Sequence, residues 1–209
     1  MTPDETLLQV ATEVNHCTKC PLYKGTAHGV PGEGPVNAEI MFIGEGPGFH
    51  EDQQGRPFVG AAGKLLEESL AKIGMRREQV YITNVIKHRP PGNRDPQPEE
   101  IEACRDYLER QVRAIHPKVI VTLGRFSMAR YFPDAKISAI HGQARQIDGR
   151  LVVAMFHPAA ALRAPSMRDQ YERDFLKLPE YLERARRLPP AAQAEAAKVE
   201  EAPKQMSLF

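Results

Sequence analysis

The sequence predicts an α/β fold in which helices cover both faces of a parallel sheet. Four short runs, Glu39–Ile43, Val80–Val85, Lys118–Leu123 and Leu151–Phe156, are mostly apolar and rich in Val, Ile or Phe, the pattern of strands buried on both sides. Helical stretches lie between them, and strands that alternate with helices build parallel sheets. The length of 209 residues, with 42% hydrophobic and 26% charged content, allows one folded domain with a complete core and a tail.

In chain order, an amphipathic N-terminal helix precedes Cys17. The first strand runs directly into Gly44-Glu45-Gly46-Pro47-Gly48, whose glycines permit close approach of a ligand. Ala61–Ile73 sets Ala62, Leu65, Leu66, Leu70 and Ile73 on one helical face. Glu99–Ile115 does the same with Ile101, Cys104, Leu108, Val112 and Ile115, and Pro98-Glu99-Glu100 suits a first helical turn. Asn84 lies near the end of the second predicted strand and His157-Pro158 follows the fourth. In an open parallel sheet ligands bind beyond the carboxyl ends of the strands, so Glu45, Asn84 and His157 are expected at one mouth. A lone histidine is more often a structural hydrogen bonder; three polar residues at three strand ends are harder to dismiss.

The net charge of +1 gives no global argument for nucleic acid, so any DNA affinity must come from a local patch. Arg76, Arg77, Lys87, Arg89 and Arg94 against one acid, Glu78, offer either a solvated surface or a phosphate-contacting rim. No run of 18 apolar residues is present, and the acidic start Met-Thr-Pro-Asp-Glu lacks a secretory core segment, so a cytoplasmic protein is expected; nucleoid association and a monomeric state are further expectations. Gly60-Ala-Ala-Gly63-Lys64 fails as a phosphate loop, because Leu65 follows the lysine.

Three cysteines speak against a disulfide framework. Cys17-x-x-Cys20 is a metal half-site by spacing, Cys104 faces inward on its helix, and His88 precedes Cys104 by 16 residues. By ligand chemistry alone this set suits zinc as well as iron–sulfur. The plainer reading is a set of unconnected, buried thiols.

Taken together, Gly44–Gly48, Gly55-Arg56-Pro57-Phe58-Val59-Gly60, Thr83 to Arg94 and His157-Pro158-Ala159-Ala160 resemble, in order, the motifs of family 4 uracil-DNA glycosylases. The likeness runs from about Cys17 to Tyr181. It implies a three-layer α/β/α sandwich with a central four-stranded parallel sheet, uracil-containing DNA as substrate, and a [4Fe–4S] cluster on Cys17, Cys20, Cys104 and His88, the last standing where the family has a cysteine. A related branch that crosslinks to uracil-DNA also has histidine there but inserts a basic loop that is missing between Asn93 and Glu99, so turnover is expected. The resemblance further implies that Phe58 stacks on a flipped uracil, Asn84 pairs with its edge, Gly46 opens the first motif and Glu51 closes the pocket against the thymine methyl. His157 would donate to O2 of the leaving base, Glu45 or Asn93 would direct water, and Leu162 and Arg163 would wedge into the base stack. Competing readings are a glycosylase of broader base range, a non-catalytic zinc or iron–sulfur nucleic-acid-binding domain, and a clamp-tethered accessory protein of a polymerase that leaves uracil untouched.

The glycosylase domain is expected over residues 1–187. Residues 188–204, Ala, Glu, Pro and Lys with almost no large apolar residue, are expected to form a disordered linker. Gln205-Met206-Ser207-Leu208-Phe209 resembles the peptide that docks on a bacterial sliding clamp.

Overall fold

The computed structural model describes residues 1–189. The linker, beyond Leu188 and Pro189, and the terminal pentapeptide lie outside the described residues. Leu188 itself packs against the core.

Helix α1 (Pro3–Asn15) begins at a reciprocal cap: Thr2 N–H donates to Glu5 Oε2 at 2.7 Å and Glu5 N–H to Thr2 Oγ1 at 3.2 Å. Such a cap is worth about 1 kcal/mol. β1 (Ile40–Gly44) leads through α2 (Phe49–Gln54) and α3 (Ala61–Lys72) to β2 (Tyr81–Asn84). α4 (Pro98–Ile115), β3 (Val119–Leu123), α5 (Arg125–Ala129) and α6 (Ile137–Ile140) follow. β4 (Ala144–Ile147), β5 (Arg150–Met155), α7 (Pro158–Ala161), α8 (Pro165–Phe175) and α9 (Leu178–Arg186) complete the chain.

The sheet order is β2-β1-β3-β5-β4. β2, β1, β3 and β5 are the four predicted strands and pair in parallel, each within a residue or two of its expected bounds. The expected count of four is corrected to five: β4 pairs antiparallel with β5 at the edge. This strand, Ala-Arg-Gln-Ile, is short and buries none of its residues fully, so no apolar run marked it. The Asp148-Gly149 turn, with φ of 49° and 74°, was the available signal.

Period-two alternation along the strands divides the core into two layers. Ile40 and Phe42 of β1 pack with Leu65, Leu66 and Leu70 of α3 and Phe175 and Leu178 beyond. Met41 and Ile43 face the other way, toward Cys104, Leu108 and Ile115 of α4. The β1-to-β2 connection thus covers one face and the β2-to-β3 connection the other, while β2 and β3 flank β1 on opposite sides. That arrangement makes the carboxyl end of β1 a topological switch point, where open sheets leave a crevice. α1 lies against α4, burying Val10 and Val14 beside Tyr107, with Arg110 paired to both carboxylate oxygens of Glu13 at 2.6 and 3.0 Å.

Candidate active site

The site grows from the register of β1 against β2, which sets Gly44 beside Asn84. A Cβ at Gly44 would stand 2.4 Å from Asn84 Oδ1 and 2.6 Å from Phe58 Cζ. Only glycine lets the amide and the ring converge on this strand end. Asn84 is 1% exposed, and its Oδ1 is buried without a hydrogen-bond donor among the described residues. A buried acceptor in that state costs about 1–3 kcal/mol and marks a place where a ligand N–H fits.

Phe58 sits in the left-handed region at φ 50°, a strain of about 1–3 kcal/mol that the surroundings must hold. They hold it from two sides. Glu51 Oε1 accepts from the Val59 and Gly60 N–H groups at 2.8 and 2.9 Å, and Glu51 Oε2 accepts from Gly48 N–H at 3.1 Å. Glu51 therefore braces the start of α2 against the Phe58 turn. On the other side a Cβ at Gly63 would come within 1.9 Å of the Phe58 carbonyl oxygen, so the turn lies directly on α3.

His157 caps α7. Its ring lies 5.6 Å from that of Phe58, at 29°, and its Nδ1 accepts from Ala159 N–H at 3.1 Å. Burial pulls its pKa down to about 4; the charge of Glu51 opposes this and that of Arg163 adds to it. The ring is therefore neutral near pH 7, with its proton on Nε2, because Nδ1 is already an acceptor. Gly124, just after β3, lies beneath it, 3.2 Å from His157 Cβ at the position a side chain would take.

Glu45 follows β1 and is half-buried. Burial, and then the charge of Asp95, push its carboxyl above the ordinary range, with Arg125 opposing. Gly46 packs so closely on Ile86 that a Cβ would lie 2.7 Å from it. Asn93 is exposed at φ 54°, and its Oδ1 accepts from Arg89 Nε at 2.7 Å. Leu162, 43% exposed, and the exposed Arg163 project from the end of α7.

Cys17, Cys104 and His88 are buried and Cys20 is partly so. Among the described residues no group of three or more His, Cys, Asp or Glu side chains is gathered as a metal would require. Cys17 packs with Val10, Val14 and Tyr107, whereas Cys20 and Cys104 adjoin the layer under α4. The thiols are nonetheless close enough to act on one another. Burial pushes Cys104 up to about 11, Lys87 opposes this through its charge and its backbone N–H, and the charges of Cys20 and Cys17 add to it. Burial also raises Cys20, with a backbone bond from Leu22 opposing and Cys17 adding. Thiols that attract backbone N–H groups suit an iron–sulfur cluster in kind. The charge neighbour of His88 is Asp52; burial foremost holds its imidazole below the ordinary range.

Residues 31–183 match the family described as the uracil DNA glycosylase superfamily. The chain belongs to that superfamily. It is 51% identical over 185 residues to the type-4 uracil-DNA glycosylase of Archaeoglobus fulgidus, across 84% of this chain and 93% of that protein. It is 46% identical over 188 residues to the type-4 uracil-DNA glycosylase of Sulfurisphaera tokodaii, across 84% of each. The type-4 uracil-DNA glycosylase of Thermotoga maritima is 46% identical over 163 residues, 76% of this chain and 85% of that protein.

Two cations of this glycosylase are not where the basic stretch placed them. The Lys87 side chain is fully buried and donates to Thr83 Oγ1, the Asn84 carbonyl and Gln111 Oε1 at 2.7, 2.8 and 2.8 Å. Burial lowers it to about 7, with Cys104 opposing. The Arg77 side chain is 9% exposed and turned onto the Phe58 turn. Arg94 is tied to Glu100 at 2.6 Å. Of the five basic residues read as either a solvated surface or a phosphate-contacting rim, Lys87 and Arg77 turn inward and Arg94 pairs with Glu100, which leaves Arg76 and Arg89 for either role. Neither Lys87 nor Arg77 was legible as a core residue, since nothing local announces acceptors at Gln111 or Pro57.

Proposed function

We infer that the protein flips deoxyuridine out of DNA and hydrolyses its N-glycosidic bond, releasing uracil and starting base excision repair. The unpartnered Oδ1 of buried Asn84 carries this reading. Uracil presents a donor at N3 and an acceptor at O4, so one amide satisfies both: Oδ1 takes N3–H and Nδ2 donates to O4. Cytosine presents the reverse pattern and would leave both pairs unmade, a strong ground for rejection. Phe58 supplies the stacking face, and the 43%-exposed Leu162 with Arg163 fills the gap left in the duplex.

Bond cleavage loads negative charge onto the base, and the Nε2–H of neutral His157 donates to O2 as that charge grows. Glu45, whose raised carboxyl is drawn toward working pH, accepts the proton of the attacking water. Asn93, with its oxygen engaged by Arg89, contributes to the rim rather than to the water. Glu51 positions the Phe58 turn and shapes the wall that the thymine methyl would meet.

Cys17, Cys20 and Cys104, with His88 as the fourth ligand, would hold a [4Fe–4S] cluster, and zinc is the alternative occupant. When bound, the cluster supplies a covalent tie between the segment after α1, the segment after β2, and α4. The terminal residues 205–209 are proposed to dock on a sliding clamp. The decisive experiment is incubation with an end-labelled uracil-containing oligonucleotide followed by alkali: a cut at the uracil is expected, and an intact strand would overturn the reading.

A further inference from the structure

We propose that Arg77 is a positioning residue for uracil excision, acting through Phe58; this rests on the reading of Phe58 as the stacking face. The guanidinium reaches the turn from outside the pocket. Nη1 donates to the Phe58 carbonyl at 2.9 Å and Nη2 donates to the Pro57 carbonyl. Nε donates to Glu33 Oε1 at 2.8 Å, and Nη1 also meets Glu67 Oε1 at 3.3 Å. The carbonyls on either side of the Phe58 Cα are thus gripped by one planar fork, while the next two N–H groups are gripped by Glu51. Between these holds Phe58 keeps its left-handed φ of 50° and its ring against Gly44.

The fork is what makes arginine the required cation. A lysine ammonium at this site keeps the charge beside Glu33 but has no rigid pair of donors set for two successive carbonyls. Glu33 anchors the arrangement from below, since its other oxygen takes Arg56 Nε at 2.7 Å. Arg77 touches neither base nor sugar in this scheme. Its effect on catalysis passes through the placement of the ring, where a displacement of about 1 Å costs on the order of 100-fold.

A double-mutant cycle tests this. Single-turnover cleavage of a uracil oligonucleotide is measured for the parent, Arg77→Lys, Phe58→Ala and the double variant, with the melting temperature of each. Arg77→Lys is expected to slow cleavage by about 10-fold or more, yet by less than about twofold in the Phe58→Ala background, because the positioned ring is already gone. Melting temperature should fall equally in both backgrounds, and affinity for an oligonucleotide without uracil should not change. The same slowing in both backgrounds overturns the proposal while leaving the stacking role intact. Unimpaired cleavage by Phe58→Ala overturns the stacking role, and the proposal with it. Glu33→Gln, which keeps Arg77 but weakens its anchor together with the Arg56 pair, should show the same background dependence with a smaller effect; an effect equal in both backgrounds counts against the proposal even where Arg77→Lys does not fold.

Discussion

The backbone N–H of Ala159 donates to His157 Nδ1 at 3.1 Å, and this one contact fixes which ring nitrogen carries the proton. Nε2–H is left as the donor that can follow charge onto a departing base. Replacing His157 with Ala should lower single-turnover cleavage by about 100-fold or more, as when one preorganised donor is removed. Near-parental cleavage by that variant would remove His157 from the mechanism.

The pH dependence follows from the same residue. With its folded pKa lowered from 6.5 to about 4, His157 binds a proton more readily in the unfolded chain. Its contribution to stability is therefore complete above about pH 6.5 and is lost as pH falls toward about 4. Thermal melts of the parent and of His157→Gln should converge over that window. Cleavage should not titrate with His157 between pH 5 and 8, and an activity step at pH 6–7 that disappears in His157→Gln would contradict the neutral ring.

Asn84→Asp should relax selection toward cytosine. A protonated carboxyl donates to cytosine N3 and accepts from its amino group, which the amide does not match. Uracil cleavage should drop about 10- to 100-fold, the scale of one unmade buried hydrogen bond. If no cytosine is released at any pH, the pocket assignment for Asn84 is wrong.

The cluster is tested by spectrum and metal content. Purified protein should be brown, with absorbance near 400 nm and about four irons per chain. His88→Cys should keep both, whereas Cys104→Ala should lose them. Zinc without iron, or a colour untouched by Cys104→Ala, would exclude this ligand set.

Removal of residues 205–209 should abolish binding to a sliding clamp and leave cleavage of a short oligonucleotide unchanged. Titration calorimetry should report micromolar affinity for the full chain, the order usual for short peptides. Equal clamp binding by a chain ending at Lys204 would refute the assignment.

The four parallel strands were legible because each is buried on both faces, and burial of that kind leaves a continuous apolar run. Ile40 to Ile43 serve two core layers at once. The placement was legible for a related reason: a chain leaving a parallel strand must turn at its carboxyl end, which sets Asn84 at the end of β2, Glu45 just past β1 and His157 just past β5. β4 was missed because an edge strand with one solvated side carries half the apolar signal. Arg77 and Lys87 were read as surface cations, either solvated or on a phosphate-contacting rim. What buries them is a set of acceptors that only folding assembles, Pro57, Phe58 and Glu33 around one, Thr83, Asn84 and Gln111 around the other. Residue identity and spacing determined the fold, the family and the groups proposed to meet a base. The tertiary structure alone decided which charges leave water, because desolvating a cation is tolerable only where folding gathers enough acceptors to replace its hydration.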